Sequence, residues 1–180
     1  QPQITVGMIY DFTFEHNQSL ELEKRSITDE LTQLFNRRHI NTILQKQHDI
    51  FLRYHTISSY IMLDVDSFKG INDLFGHQVG DEVLQKIAKY IKGKSRNIDF
   101  VGRWGGEEFL IICPNTELEN AVLLAEKLRK GLMKVKISAD VVVTASFGVG
   151  QISDEESTNA LIKRIDDALY QAKDAGRNQV

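Results

Sequence analysis

Phe100-Val101-Gly102-Arg103-Trp104-Gly105-Gly106-Glu107-Glu108-Phe109-Leu110-Ile111-Ile112 is the stretch whose reading decides the fold. Phe100 to Trp104 and Glu108 to Ile112 both read as short strands, and a Gly-Gly pair between two strands is a common hairpin connection. Directly after the glycines come a pair of acids and then a buried aromatic, which an ordinary hairpin does not need. Carboxylates set beside bare backbone let a bulky polyphosphate approach closely. The hairpin therefore anchors a sheet and also offers a place for chemistry.

Working outward, helical and strand patterns alternate on both sides of this hairpin. Ile40, Ile43, Leu44 and Phe51 predict a helix over Arg37 to Tyr54, and Ser59 to Val65 is a short buried strand ending in acids. Leu84, Ile87, Ala88 and Ile91 repeat at helical spacing after Gly80. Beyond the hairpin, Ala121, Leu124, Ala125, Leu128 and Leu132 mark another helix. Val135 to Ile137 with Val141 to Gly150 suggest a second strand pair around Ser138-Ala139-Asp140. Leu161, Ile165, Ala168, Leu169 and Ala172 mark a final helix. Helices alternating with strands, plus hairpins, predict an α/β (α+β) domain with a mixed central sheet flanked by helices.

The chain has 180 residues, enough to bury a substantial core in one domain, and a net charge of −3 with its basic residues dispersed. Dispersed basic residues argue against nucleic acid as a partner, since such a footprint clusters Lys and Arg. The longest apolar stretches are too short for a membrane span or a signal peptide, so no direct membrane contact is expected. Cys113 is the single cysteine. An intramolecular disulfide is impossible, and a reducing, cytoplasmic setting is expected, as in the cytoplasmic part of a larger sensor protein. At the N-terminus, Val6 to Phe14 alternates like a lone strand and Glu15 to Ser26 reads as a polar connector helix. Residues 1–25 are assigned to the end of an upstream unit and its linker, and 26–180 to the main domain.

Candidate site residues surround the hairpin. A strand sends alternate side chains to one face, so Asp64 and Asp66 are expected to point together and could share a hard cation, with Glu107 meeting Asp64 across the sheet. Magnesium prefers oxygen donors and keeps waters and phosphates in its shell, so two or three carboxylates suffice. Ser67 to Asp73 comes directly after the acidic strand. Its backbone N–H groups, including that of Phe68, could cradle phosphate, with Lys69 adding a point charge. Lys173 and Arg177 are four apart in sequence and thus on one helical face, which serves the helix dipole unless it points at the acids. Asn72 and Asp81 bracket Gly76 to Gly80, and an Asp accepting two guanine N–H groups would read a purine. Taken alone, they are a turn residue and a helix N-cap. The phosphate-loop and dinucleotide glycine patterns are absent.

Four ordered motifs closely resemble the GGDEF diguanylate cyclase family: Asp29 to Arg38 (Asp-Glu-Leu-Thr-Gln-Leu-Phe-Asn-Arg-Arg), the run Asp64 to Leu84, the Gly-Gly-Glu-Glu-Phe turn, and Ala168 to Asn178. The resemblance covers Ser26 to the C-terminus. It implies a ferredoxin-like sheet similar to class III nucleotide cyclases and polymerase palms, and condensation of two GTP into cyclic di-GMP and two pyrophosphates across a homodimer. By matching positions it implies that Asp64, the Val65 carbonyl and Glu107 hold Mg2+ or Mn2+, with Glu108 beside them. Lys69, Lys173 and Arg177 would hold phosphates, Asn72 and Asp81 would read guanine, and Arg103 could support phosphates or product. Arg96-Asn97-Ile98-Asp99 resembles the family's inhibitory Arg-x-x-Asp site, where cyclic di-GMP binds back, and Lys127 falls where relatives often place a second-site Arg. Gln33 departs from the family's usual Gly. Val6 to Phe14 also resembles the last strand and exit of a PAS domain. Other readings are a catalytically silent cyclic di-GMP receptor, which usually loses the turn acids; a cyclase using ATP, which Asp81 disfavours; and a purely structural module.

Overall fold

In the computed structural model, residues 27–180 are described apart from 139, 140 and 155. The strand and connector expected over 6–14 and 15–26 lie outside the described residues. The first helix that lies wholly among the described residues, α1 (Arg37–Tyr54), is capped by Asn36, whose side chain accepts from the His39 N–H. It leads into β1 (Ser58–Val65), which is buried along its whole length. Then come α2 (Phe68–Phe75), α3 (His77–Lys94), β2 (Phe100–Arg103), β3 (Glu108–Pro114), α4 (Leu118–Leu132), β4 (Ala145–Gln151) and α5 (Thr158–Asp174).

The strands lie in the order β2-β3-β1-β4, and all three ladders are antiparallel. From β1 onward the chain runs βα, hairpin, αβ, which is the split arrangement of a ferredoxin-like fold. The mixed character expected of the sheet reduces to one parallel bridge, Phe35 to Gly102.

Because β1 is central and covered on both faces, it reads as a continuous apolar run rather than an alternation. Ile61, Leu63 and Val65 meet α2, α3 and α4 on one face together with Phe109 and Phe147. Tyr60 and Met62 meet α1 and α5 on the other, with Leu110 and Ile112 of β3. Phe109 and Phe147 are wholly buried, each contributing about 2–3 kcal/mol of apolar transfer.

Two local readings need correction. Val135 to Ile137 forms no strand; the segment folds back on itself, Val135 N–H donating to the Leu132 carbonyl, and is tied to α3 through Ser138 on Glu82. The later apolar residues pair instead with the open edge of β1, Ser59 opposite Gln151 through Val65 opposite Ala145. A distant edge that buries Phe147 outcompetes a local hairpin whose two sides are apolar but short. The Ser67 to Asp73 turn is likewise a helix of 8 residues, broken from α3 at Gly76, whose φ of 84° suits glycine.

Gln33 occupies the left-handed region with φ 59°, the conformation that the glycine expected at this position would adopt without steric cost. Its Nε2 donates to the Glu30 carbonyl at 2.7 Å, offsetting part of the cost. A non-glycine residue in this region costs on the order of 1 kcal/mol, against a larger unfolded-state entropy for glycine. Gln33→Gly is expected to raise the melting temperature by about 1–3 °C. A fall on thermal unfolding would mean that the Glu30 contact outweighs the backbone term.

Candidate active site

Asp64 continues the register of Tyr60 and Met62, so its side chain leaves β1 on the side covered by α1 and α5. Glu108 stands directly opposite it on β3, in register with Leu110 and Ile112, and therefore on the same face. Glu107 is joined to the same corner by its carbonyl, which accepts from the Val65 N–H at 3.2 Å. Lys173, near the end of α5, reaches Asp64 with Nζ to Oδ2 at 2.8 Å. Among the described residues no three acidic side chains stand at metal-ligand spacing; Lys173 holds Asp64 instead.

The charges of this corner strain against one another. Burial pushes the Asp64 carboxyl above its ordinary value, Lys173 opposes that, and Asp66 adds to it. Glu107 and Glu108 are also pushed up, first by burial and then by the charge of Asp64. Three oxygen-bearing acids that all resist ionising together form a donor set that suits a hard divalent cation.

Asp66 lies near enough for its charge to reach Asp64, but its own oxygens are engaged elsewhere. With β1 ended at Val65, its carboxylate accepts from Ser146 Oγ at 2.7 Å, Thr144 Oγ1 at 2.8 Å and the Asn178 N–H at 3.0 Å. It is an anchor for β4 and the C-terminal segment. Lys173 and Arg177 do not share a helical face: α5 ends at Asp174, Gly176 turns the chain with φ 116°, and Arg177 itself is left-handed at φ 65°. Arg177 nevertheless faces Asp64, whose ionisation its charge favours.

The hairpin is closed by Trp104 and Gly105, whose N–H groups both donate to the Glu108 carbonyl, at 2.8 and 3.3 Å. Neither glycine of the turn has positive φ, so the two-residue mirror-type turn is not what requires them. At Gly105 the Glu108 carboxylate lies where a Cβ would be, so a side chain there would push that carboxylate aside, whereas Gly106 faces open space. Arg103, expected near phosphates or product, is occupied otherwise. Its guanidinium bridges Asp29 at 3.2 Å and the Gly106 carbonyl at 2.7 Å, bracing the turn against the loop before α1. Burial works against the Asp29 charge, but Thr32 and Arg103 outweigh it and hold the carboxyl below its usual range.

On the other flank, α2 begins after Ser67, which makes no capping bond to the first-turn N–H groups. Phe68 is packed in the core, so only its backbone is offered, while Lys69 is exposed. The Asn72 side-chain oxygen packs directly on Gly80, the residue before Asp81 near the start of α3. The two proposed purine readers are thus side by side.

Arg96 and Asp99 close a tight loop, the Arg96 N–H donating to Asp99 Oδ2 at 2.7 Å. They line a pocket of about 320 Å³ with Cys113, Thr116, Asn120 and Lys127. Asp99 is 2 % exposed, and its Oδ1 has no partner. Burial pushes the neighbouring Cys113 thiol up to about 12, so it stays protonated. Residues whose part was not legible beforehand are Asp29, Asp66 and Arg37, which lies over Trp104; only the Asp29 to Arg38 motif signalled the first and last.

Fold and site together define a ferredoxin-like domain that carries an acidic corner at one end of its sheet. The chain belongs to the GGDEF diguanylate cyclase domain family, whose model matches residues 26–179. It is 42 % identical over 181 residues to diguanylate cyclase DgcM of Escherichia coli K12, covering 99 % of this chain and 43 % of that protein. It therefore spans less than half the length of that relative. Among solved structures it is similar to diguanylate cyclase SiaD of Pseudomonas aeruginosa, solved with its activator SiaC, with a TM-score of 0.83 and 37 % identity over 97 % of this chain and 69 % of that one. It is also similar to the coiled coil and GGDEF domain of DgcB from Caulobacter crescentus, in complex with c-di-GMP, with a TM-score of 0.87 and 29 % identity over 97 % and 96 %.

Proposed function

We propose that this domain condenses two GTP into cyclic di-GMP, one GTP held by each of two facing copies. The observation that carries the reading is the convergence of Asp64, Glu107 and Glu108 on one corner, with Lys173 on Asp64. Lys173, Arg177, Lys69 and the uncapped start of α2 hold the polyphosphate, and Asn72 with Asp81 receives the guanine edge. Asp64, Glu107 and the Val65 carbonyl would hold Mg2+ or Mn2+. The cation would polarise the α-phosphate and ease loss of the 3'-hydroxyl proton. In each half-reaction a 3'-oxygen to α-phosphorus bond forms as the bond to the departing pyrophosphate breaks. Lys173 then exchanges Asp64 for phosphate, keeping a counter-charge in the corner throughout.

Incubating the dimerised chain with GTP and Mg2+ tests this directly. Cyclic di-GMP with release of two pyrophosphates per product is expected; its complete absence under those conditions would sink the proposal.

A second activity at the Arg96 pocket is favoured by the buried, unpartnered Asp99 oxygen, which fits a guanine N–H donor, and by Arg96 and Lys127 beside it for phosphate. Product binding there would restrain the enzyme. Arg96→Ala is expected to weaken inhibition by cyclic di-GMP roughly 10- to 100-fold, the worth of a charge-assisted hydrogen bond. The uninhibited initial rate should stay within about twofold, because Arg96 is exposed and remote from the acids. Inhibition curves that superimpose for the two proteins would remove the site. A chain that binds cyclic di-GMP yet never makes it would be a receptor instead.

A further inference from the structure

Between α1 and α5 runs a groove of about 480 Å³, lined by Arg37, Asn41, Leu44, Trp104, Asn159 and Ile162 among others. That volume falls in the range of small-molecule clefts. One end lies at Trp104, whose backbone N–H donates to the Glu108 carbonyl, so the groove ends beside the acidic corner. The Arg37 guanidinium lies over the Trp104 ring, 5.1 Å from its centroid. It makes no ion pair with a carboxylate among the described residues. Stacking holds a guanidinium by its face and leaves its N–H edge able to fork onto an anion.

This differs from the cations that brace the turn and its acids. Arg103 is bound to Asp29 and the Gly106 carbonyl, and Lys173 is bound to Asp64. Arg37 stands on the side of the turn away from Lys69 and α2, close enough that its charge favours ionisation of Glu108. Resting on the two-copy reading above, the reaction needs a second α-phosphate to reach the 3'-hydroxyl held in this domain. That phosphate arrives with a highly charged tail carried by the facing copy, and the cations that bind this domain's own nucleotide are already engaged.

We infer that the groove between α1 and α5 receives the phosphates of the nucleotide carried by the facing copy, with Arg37, stacked on Trp104, as the anchoring cation. Arg37 is thus a positioning residue for the facing copy's nucleotide in the bond-forming step and contributes little to binding this domain's own nucleotide.

Trp104 is the only tryptophan, so its fluorescence reports on this groove. The test titrates the full chain, with Mg2+, with a non-hydrolysable GTP analogue, monitoring emission and calorimetric affinity, and measures product formation from GTP for wild type, Arg37→Ala and Arg37→Lys. Arg37 is exposed at the start of a helix, where loss of a cation does not harm the fold. In wild type the emission should respond to analogue only at protein concentrations where copies pair. Arg37→Ala should lose that response and fall roughly 10- to 100-fold in product formation, with the analogue's affinity unchanged within about threefold; Arg37→Lys should recover part of the rate. An unchanged rate in Arg37→Ala, or an affinity that falls in step with the rate, overturns the inference. Should wild type make no product, the cyclase reading fails by itself: an Arg37-dependent emission response then upholds the groove as a phosphate site, and its absence removes that too.

Discussion

Asp64→Asn is expected to lower cyclic di-GMP formation by about three orders of magnitude, the scale of losing a cation's charge stabilisation at the reacting phosphate. Asparagine keeps the shape of the side chain and the pairing of β1 with Glu108 and Ser146, so the sheet is preserved while a negative oxygen donor is lost. Stability should not track activity. The Asp64 carboxyl, with an ordinary value of 3.8, is pushed up in the folded state chiefly by burial and also by Asp66, against the pull of Lys173. A carboxylate raised on folding favours the native state when protonated, and that contribution is lost as pH rises through the folded value. At neutral pH without divalent metal, the charged acid is therefore a cost. Asp64→Asn should melt at or slightly above the wild-type temperature at neutral pH in chelator, with the difference vanishing below the ordinary value of 3.8. Added Mg2+ should stabilise wild type and not the variant. Retention of a tenth or so of the wild-type rate would mean that the acids at the turn hold the reaction without β1.

How much was legible in the sequence depends on how local each cause is. β1 and the β2–β3 hairpin are written in contiguous apolar runs, and α1, α3, α4 and α5 in their helical spacing, so each could be read where it lies. That an acid of the turn would meet Asp64 was also accessible from strand alternation, but the acid expected there was Glu107, and the register of β1 on β3 sets Glu108 opposite Asp64 instead. Features set by distant partners were not accessible. Nothing near Val135 to Ile137 says that the next strand belongs beside β1, and Asp66 looks like Asp64 until Ser146, Thr144 and Asn178 close around it. Arg177 sits at helical spacing from Lys173 but arrives by a left-handed turn at Gly176. The turn glycines were read as backbone conformers, whereas Gly105 makes room for the Glu108 side chain. Gln33 against the usual glycine was the opposite case, a local departure whose meaning is entirely in its own φ.

The pair Asn72 and Asp81 carries the second large effect, on substrate choice. Guanine presents two adjacent N–H donors to a carboxylate, while adenine presents a ring acceptor beside its amine, so Asp81 should reward one and repel the other. Sites that hydrogen-bond a substrate discriminate strongly because a wrong ligand leaves buried polar groups unpaired. Asp81→Ala is expected to lower kcat/KM for GTP by about 100-fold, two charge-assisted bonds being worth roughly 3 kcal/mol or more, and to narrow the preference over ATP by a similar factor. Asp81 is exposed near the start of α3, so the fold should survive. Gly80 offers an independent check, since a Cβ there would collide with the Asn72 oxygen and crowd Phe68 at 3.3 Å. Gly80→Ala must displace Asn72 from its place beside Asp81. It should therefore reproduce the GTP defect of Asn72→Ala while leaving both acids of the turn intact, so that the KM rises more than kcat falls. If steady-state kinetics show GTP and ATP discriminated as before in Asp81→Ala, and Gly80→Ala behaves as wild type, the guanine edge lies elsewhere on the domain. The two results together separate a lost base contact from a damaged catalytic corner, because only the latter would lower kcat at saturating GTP.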